Sequence, residues 1–279
     1  MTVLEVIGVA VMAVGAGFCV LAAWGVVDFP SPISRMHAAT KSASLGLALL
    51  ALGSGVASGS WGLTGIGVLV AVFLFVTAPI SGHLLGRAAY LAGQAGHLVH
   101  DDLAGLDAQP IEPRSVPGGR FSWLRWAGLV VVWMLLWRDV SVGTLVGGSV
   151  VAAVVEAVRR TRPRVTRIDP LGLVVFIARY LGMVVGSNLR VAWEVITPSN
   201  ELIREAIVAV PLRTRSLPVA LLVANAISYT PGSLTVEMHG DPLVIHVHVL
   251  HFSSVEDVRA QVAEVESLAE RALREAATV

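Results

Sequence analysis

Residues 3–27 form one unbroken apolar run whose only charge, Glu5, stands at its edge. At a rise of about 1.5 Å per residue, a helix of that length crosses the roughly 30 Å hydrocarbon layer of a bilayer. No other feature limits the chain so strongly, because backbone placed in lipid must satisfy its own hydrogen bonds, as a helix or a closed barrel does. The run opens Thr2-Val3-Leu4-Glu5 with no basic stretch before it. It also outlasts the apolar core of a cleaved leader, so a retained span is expected. Composition agrees: of 279 residues 55% are hydrophobic and 14% charged, where a soluble domain carries roughly 25% charged residues. The net charge of zero gives no argument for nucleic acid. Cys19, inside the first run, has no second cysteine to pair with and is read as a packing residue.

A polar turn from Asp28 to Lys41 follows, then apolar runs at about 43–58 and 62–80. Only Ser58, Gly59, Ser60 and Trp61 separate these two, which predicts a tight hairpin, and Gly55-x-x-x-Gly59 suits close helix packing in lipid. From Gly82 the composition changes, and the Pro/Gly-rich stretch from Pro110 to Gly119 reads as a linker. The expected division is a three-span membrane domain (1–95), a linker (96–120), a membrane hairpin with an amphipathic helix (121–197) and a small α/β domain (198–279). His83, His97 and His100 have no metal-ligand spacing.

The runs at 123–137 and 140–158 are short for spans, and Trp123, Trp126, Trp133 and Trp137 crowd the first of them. A short or tilted hairpin anchored by interfacial tryptophans is expected. Arg159, Arg160, Arg162, Arg164 and Arg167 then form a basic loop, read as cytoplasmic charge facing anionic lipid. In 170–197, Arg179, Arg190 and Glu194 fall on one stripe with Leu171, Val174, Leu181, Val185 and Leu189 towards the other side. That pattern predicts a helix lying in the membrane interface; a true span with its stripe facing other subunits is the rival. With five spans and the first end outside, Arg138 is the one external residue of the 20 Lys and Arg. The C-terminal domain is then cytoplasmic.

That domain reads as strand 207–212, helix 218–227, strands 234–238 and 244–250, and helix 255–275 capped by Ser254 with Asp257. His246 and His248 share one strand face, with His239 across the turn; without a carboxylate or Cys partner nearby they are expected at the surface. No phosphate-cradling loop, nucleophile elbow or zinc spacing appears, so no enzyme and no cofactor are expected.

Phe29-Pro30-x-x-x-Ser34-Arg35-Met36-His37-Ala38-Ala39-Thr40-Lys41, followed by Thr77-Ala78-Pro79 and His83…Arg87-Ala88-Ala89, resembles the G subunit of Mrp-type (Mnh/Pha) cation/proton antiporters. Asp28 and Ser31 depart from that pattern, standing where the family has Arg and an acidic residue. Ala224-Asn225-x-Ile227-x-x-Thr230-Pro231-Gly232-Ser233 is similar to a signature of the E subunit of the same complex. The resemblance implies an accessory subunit in a bacterial inner membrane, a fusion of the two types, with the exchange machinery in larger partner subunits. Asp28, Arg35, His37, Lys41, Pro79 and His83 are its candidate ion-path or partner-contact residues, and Thr230, Pro231 and Gly232 a structural type II turn. A self-sufficient carrier and a membrane-anchored binding module are the alternatives. The first needs a polar stripe inside the spans, and the second a ligand for the tail.

Overall fold

Residues 2–105, 123–158, 166–197, 203–230, 232–240 and 242–275 are described by a computed structural model. The Thr2 hydroxyl accepts the Glu5 N–H at 3.2 Å and the Glu5 carboxylate accepts the Thr2 N–H at 3.0 Å, starting α1 (Val3–Asp28). The one charge of the first apolar run is thus a helix cap. Ser31 caps α2 (Pro32–His37), which passes through a π-helical turn (Ala38–Ser42) into α3 (Ala43–Ala57). Most of the expected polar turn is therefore helical. α1 lies so close to α3 that a Cβ on Gly15 would stand 2.7 Å from the Gly46 carbonyl oxygen. Such contact lets dispersion hold helices together where lipid removes the hydrophobic drive. In Gly55-x-x-x-Gly59, Gly55 packs against the Thr64 backbone, while Gly59 takes φ +63° and shapes the turn.

α4 (Trp61–Leu91) runs well past residue 80, with Pro79 inside it. A proline has no N–H for the carbonyl four residues back, and the Phe75 oxygen instead accepts the Tyr180 hydroxyl at 3.3 Å. α5 (Trp123–Trp137) and α6 (Val142–Val158) pair as a hairpin, with Arg125 reaching both Glu156 oxygens at 2.8 and 3.1 Å. Among the described residues four stretches are long and apolar enough to cross a membrane: Val3–Asp28, Pro32–Ala57, Trp61–Leu91 and α7 (Pro170–Ile196). By length and composition alone, this set overlaps the expected five spans without matching it. α5 and α6 are shorter than that measure, and α7, expected to lie on the membrane, meets it.

A four-stranded mixed sheet follows in the order β1-β3-β5-β4, built from β1 (His100–Asp101), β3 (Ala206–Pro211), β4 (Ser233–His239) and β5 (Val244–Val249). β2 (Thr166–Ile168) and β6 (Leu273–Glu275) form a separate antiparallel pair. One sheet face, with Val208, Val210, Ile245 and Val247, buries against α8 (Leu217–Ser228), α9 (Val255–Ala272) and Phe176 of α7. The Ser254 hydroxyl accepts the Asp257 N–H at 3.1 Å, while the Asp257 carboxylate takes the Ser253 hydroxyl at 2.6 Å, so half of the expected capping box forms. The other sheet face meets the first half of the chain: Gly82 and Gly86 of α4 leave room for Leu234. β1, from the segment read as a linker, pairs in parallel with Ala206 and Ile207.

Candidate functional site at the junction of the halves

Buried ionisable groups collect where α2, the π-helical turn and α7 meet the sheet. Lys41 is 0% exposed and its Nζ donates to the Thr230 carbonyl oxygen at 2.5 Å. That oxygen also accepts the Ser233 N–H at 3.3 Å, and Gly232 has φ +69°, as the expected type II turn requires. Pro231 lies outside the described residues. A buried ammonium needs an opposite charge, and the carboxylate that acts on Lys41 is Glu194 of α7. Glu194 in turn lies 3.8 Å from Nε2 of His251, at the rim of the site.

One turn before Lys41, His37 is also fully buried, with its Nε2 3.3 Å from Nδ1 of His248. Nε2 of His248 stands 3.9 Å from one oxygen of Glu205, whose other oxygen accepts the Ser31 hydroxyl at 2.7 Å. His246 and His248, expected at the surface, are 1% and 0% exposed. They occupy the sheet face that the first half covers, so the placement is opposite to the sequence reading. Burial pushes the His246 imidazole down to about 4, with neighbouring His239, stacked 4.9 Å away, adding to the effect. Burial works to raise the Asp102 carboxyl, but the Ala209 N–H and His100 hold it below the usual range.

The remaining candidates are dispersed. Asp28 ends α1 with a buried Oδ2 that makes no hydrogen bond among the described residues. Arg35 is exposed and its Nε donates to the Phe29 carbonyl at 2.7 Å. His83 faces the Thr235 backbone, and Arg87 pairs with Glu237. Pro79 is buried in α4. Arg159, Arg160, Arg162 and Arg164 lie outside the described residues, and Arg167 is described by its backbone alone, in β2. Among the described residues no three His, Cys, Asp or Glu converge to hold a metal.

Sequence reasoning missed Ser31 and Glu205 and did not place Glu194 inward. No local signal marks Glu205, which precedes a strand as many surface acids do. Glu194 did carry one, since a carboxylate in an apolar helix asks for a partner.

Comparison with known proteins matches the two halves to two families. Residues 11–90 match the PhaG/MnhG/YufB model, a Na+/H+ antiporter subunit, and residues 126–276 the MNHE model, a Na+/H+ ion antiporter subunit. The G-type Na+/H+ antiporter subunit of Alkalihalophilus pseudofirmus is 35% identical over 97 residues, which cover 33% of this chain and 80% of that protein. A UPF0091 protein of Pyrococcus horikoshii is 41% identical over 100 residues, covering 33% and 81%. A chain of the Mrp complex from Dietzia sp. DQ12-45-1b is 24% identical, with 38% and 99% covered and a TM-score of 0.31, too low to bear on the fold. The chain belongs to the Na+/H+ antiporter subunit families, a G-type segment followed by an E-type segment in one polypeptide.

Proposed function

We propose that this chain is an accessory membrane subunit of a multisubunit Na+/H+ antiporter, and that the junction around Lys41 lends charge to the ion entrance or to a partner subunit. One observation carries the reading: Lys41 of the G-type motif, fully buried, is bonded to Thr230 of the E-type motif. The two motifs that mark the families thus form one site. Asp28, Arg35, His37, Pro79 and His83 are assigned to the same boundary region, and the basic loop from Arg159 to Arg167 to anionic lipid. The other subunits of the antiporter are its partners.

In this reading α1, α2–α3, α4, α5 and α6 cross a bacterial inner membrane, α7 lies along its cytoplasmic face, and the C-terminal domain is cytoplasmic. Helix packing supports the placement of α7. Gly8 sits beside Ala57, and Gly55 beside Thr64, so these mark one level. Gly25 is then about 25 Å below it and Phe75 about 17 Å. α7 touches the first through Val195 and the second through Tyr180, points about 22 Å apart along its own axis. This spacing supports a course more along the membrane than across it. The exposed face of α7 carries Leu171, Val174, Leu181, Leu189 and Trp193.

Membrane vesicles holding the assembled complex test the function. Lys41→Met, which keeps the apolar stem and removes the charge, is expected to lower cation/proton exchange severalfold at equal complex abundance. The purified chain alone is expected to show none above protein-free liposomes. Wild-type exchange by Lys41→Met complexes overturns the role of the junction, and robust exchange by the chain alone favours a self-sufficient carrier. For the topology, Glu270→Cys in a Cys19→Ser background is expected to resist an impermeant thiol reagent in intact cells, and rapid labelling there contradicts it.

A further inference from the structure

We infer that His37 and His248 form a one-proton relay across the junction of the two halves, with Glu205 receiving the proton on the sheet side. The inference rests on the antiporter reading and deepens it, by naming side chains of this subunit that move a proton. The rings meet at 3.3 Å, Nε2 to Nδ1, so one of the two nitrogens carries the hydrogen between them. Two imidazoliums at that distance would place two N–H groups head to head, so the pair holds one added proton and not two. Both rings are fully buried, and bulk water does not compete for that proton.

A relay needs outer nitrogens that no other hydrogen bond holds. Here Nδ1 of His37 is buried with no hydrogen-bond partner among the described residues, and Nε2 of His248 is too far from Glu205, at 3.9 Å, to be bonded to it. Glu205 is itself 5% exposed and is held through its other oxygen by Ser31. A proton adding at Nδ1 of His37 is balanced by transfer of the Nε2 proton to Nδ1 of His248. The Nε2 proton of His248 then passes to the Glu205 carboxylate. Each ring forms one N–H bond and breaks one, and a single proton has crossed. Closing the last gap takes a shift of about 1 Å by the Glu205 carboxylate.

The charged groups that act on His37 are Lys41 on the same helix and His251 beyond the sheet, and Glu194 of α7, itself under the influence of Arg190, acts on both of these. Of these, His251 is 38% exposed and touches Glu194, which opens the buried set to solvent at one end.

The full chain, labelled with 15N-histidine and held in lipid nanodiscs, tests the pair directly. We expect scalar coupling across the His37–His248 hydrogen bond, with the bridging hydrogen exchanging between the two ring nitrogens. Both signals should vanish in His37→Gln and His248→Gln. Rings that show no coupling, or a bridging hydrogen fixed on one nitrogen, overturn the relay. In vesicles with the assembled complex at equal abundance, His248→Gln is expected to slow exchange about tenfold or more and to flatten its pH dependence. Glu205→Gln, which keeps the Ser31 contact and the side-chain volume, is expected to do the same and serves if His248→Gln does not assemble. Wild-type pH profiles in Glu205→Gln complexes overturn the proposal. Absence of exchange in the wild-type complex removes the antiporter reading and leaves the nanodisc measurement to decide the relay.

Discussion

His246 is held neutral in the folded chain, and this makes stability depend on pH with a defined sign. Its pKa falls from 6.5 to about 4 on folding, chiefly through burial. Between those values the unfolded chain binds more protons than the folded one, so stability is full above about pH 6.5 and is lost as pH falls towards 4. The loss amounts to at most about 3 kcal/mol. His246→Gln is therefore expected to flatten the fall of the midpoint of thermal unfolding between pH 7 and 4.5 in detergent. An unchanged slope would mean that the ring finds a partner for its proton when the pH drops. Nothing near His246 in sequence announces this behaviour. Its alternation with Ile245, Val247 and Val249 shows that it shares a face with His248, and only the first half of the chain decides that the face is covered.

For single elements, α4 shows how a rule can hold while its consequence moves. Pro79 removes a donor from the helix interior, yet α4 continues because Tyr180 supplies one from another helix. Tyr180→Phe is expected to cost about 1 kcal/mol. In a Pro79→Ala background the alanine N–H takes the Phe75 carbonyl, so the same change should cost less, with a coupling of about 0.5 kcal/mol or more by thermal unfolding. Equal costs in both backgrounds would mean that the hydroxyl does not replace the missing bond. The apolar runs were legible in sequence because lipid-facing helices need continuous hydrophobicity, and the strands of the tail were legible from alternation. The end of α4 was not. His83 and Arg87 look like the close of a span, but a helix leaving the membrane continues when its polar side has something to dock on, here Thr235 and Glu237 of β4. The type II turn at Thr230 was read from Pro-Gly alone. Its use as the seat of Lys41, 189 positions away, was beyond any local pattern.

Across the whole molecule, two families meet on one chain through contacts that do not depend on the covalent connection between them. Leu234 against Gly82 and Gly86, Arg87 with Glu237, Lys41 on Thr230 and the His37–His248 pair all lie outside residues 106–122. Co-expressed as separate chains, residues 1–105 and 121–279 are expected to co-purify from mild detergent, and Leu234→Asp to abolish that association by burying an unpaired charge. Failure of the wild-type halves to associate would show that the tether is needed to hold them.

The smallest strand has a practical consequence for work on the tail. β1 contributes only His100 and Asp101, yet it sits on the outer edge of β3, where Val99 donates its N–H to Glu205 and Asp102 to Ile207. Cut away from the first half, the tail would present an open strand edge beside an apolar sheet face bearing Leu234 and Val236. An unprotected edge of that kind recruits strands from other copies. A fragment carrying residues 95–105 fused ahead of the tail should stay dispersed at concentrations where the bare tail aggregates.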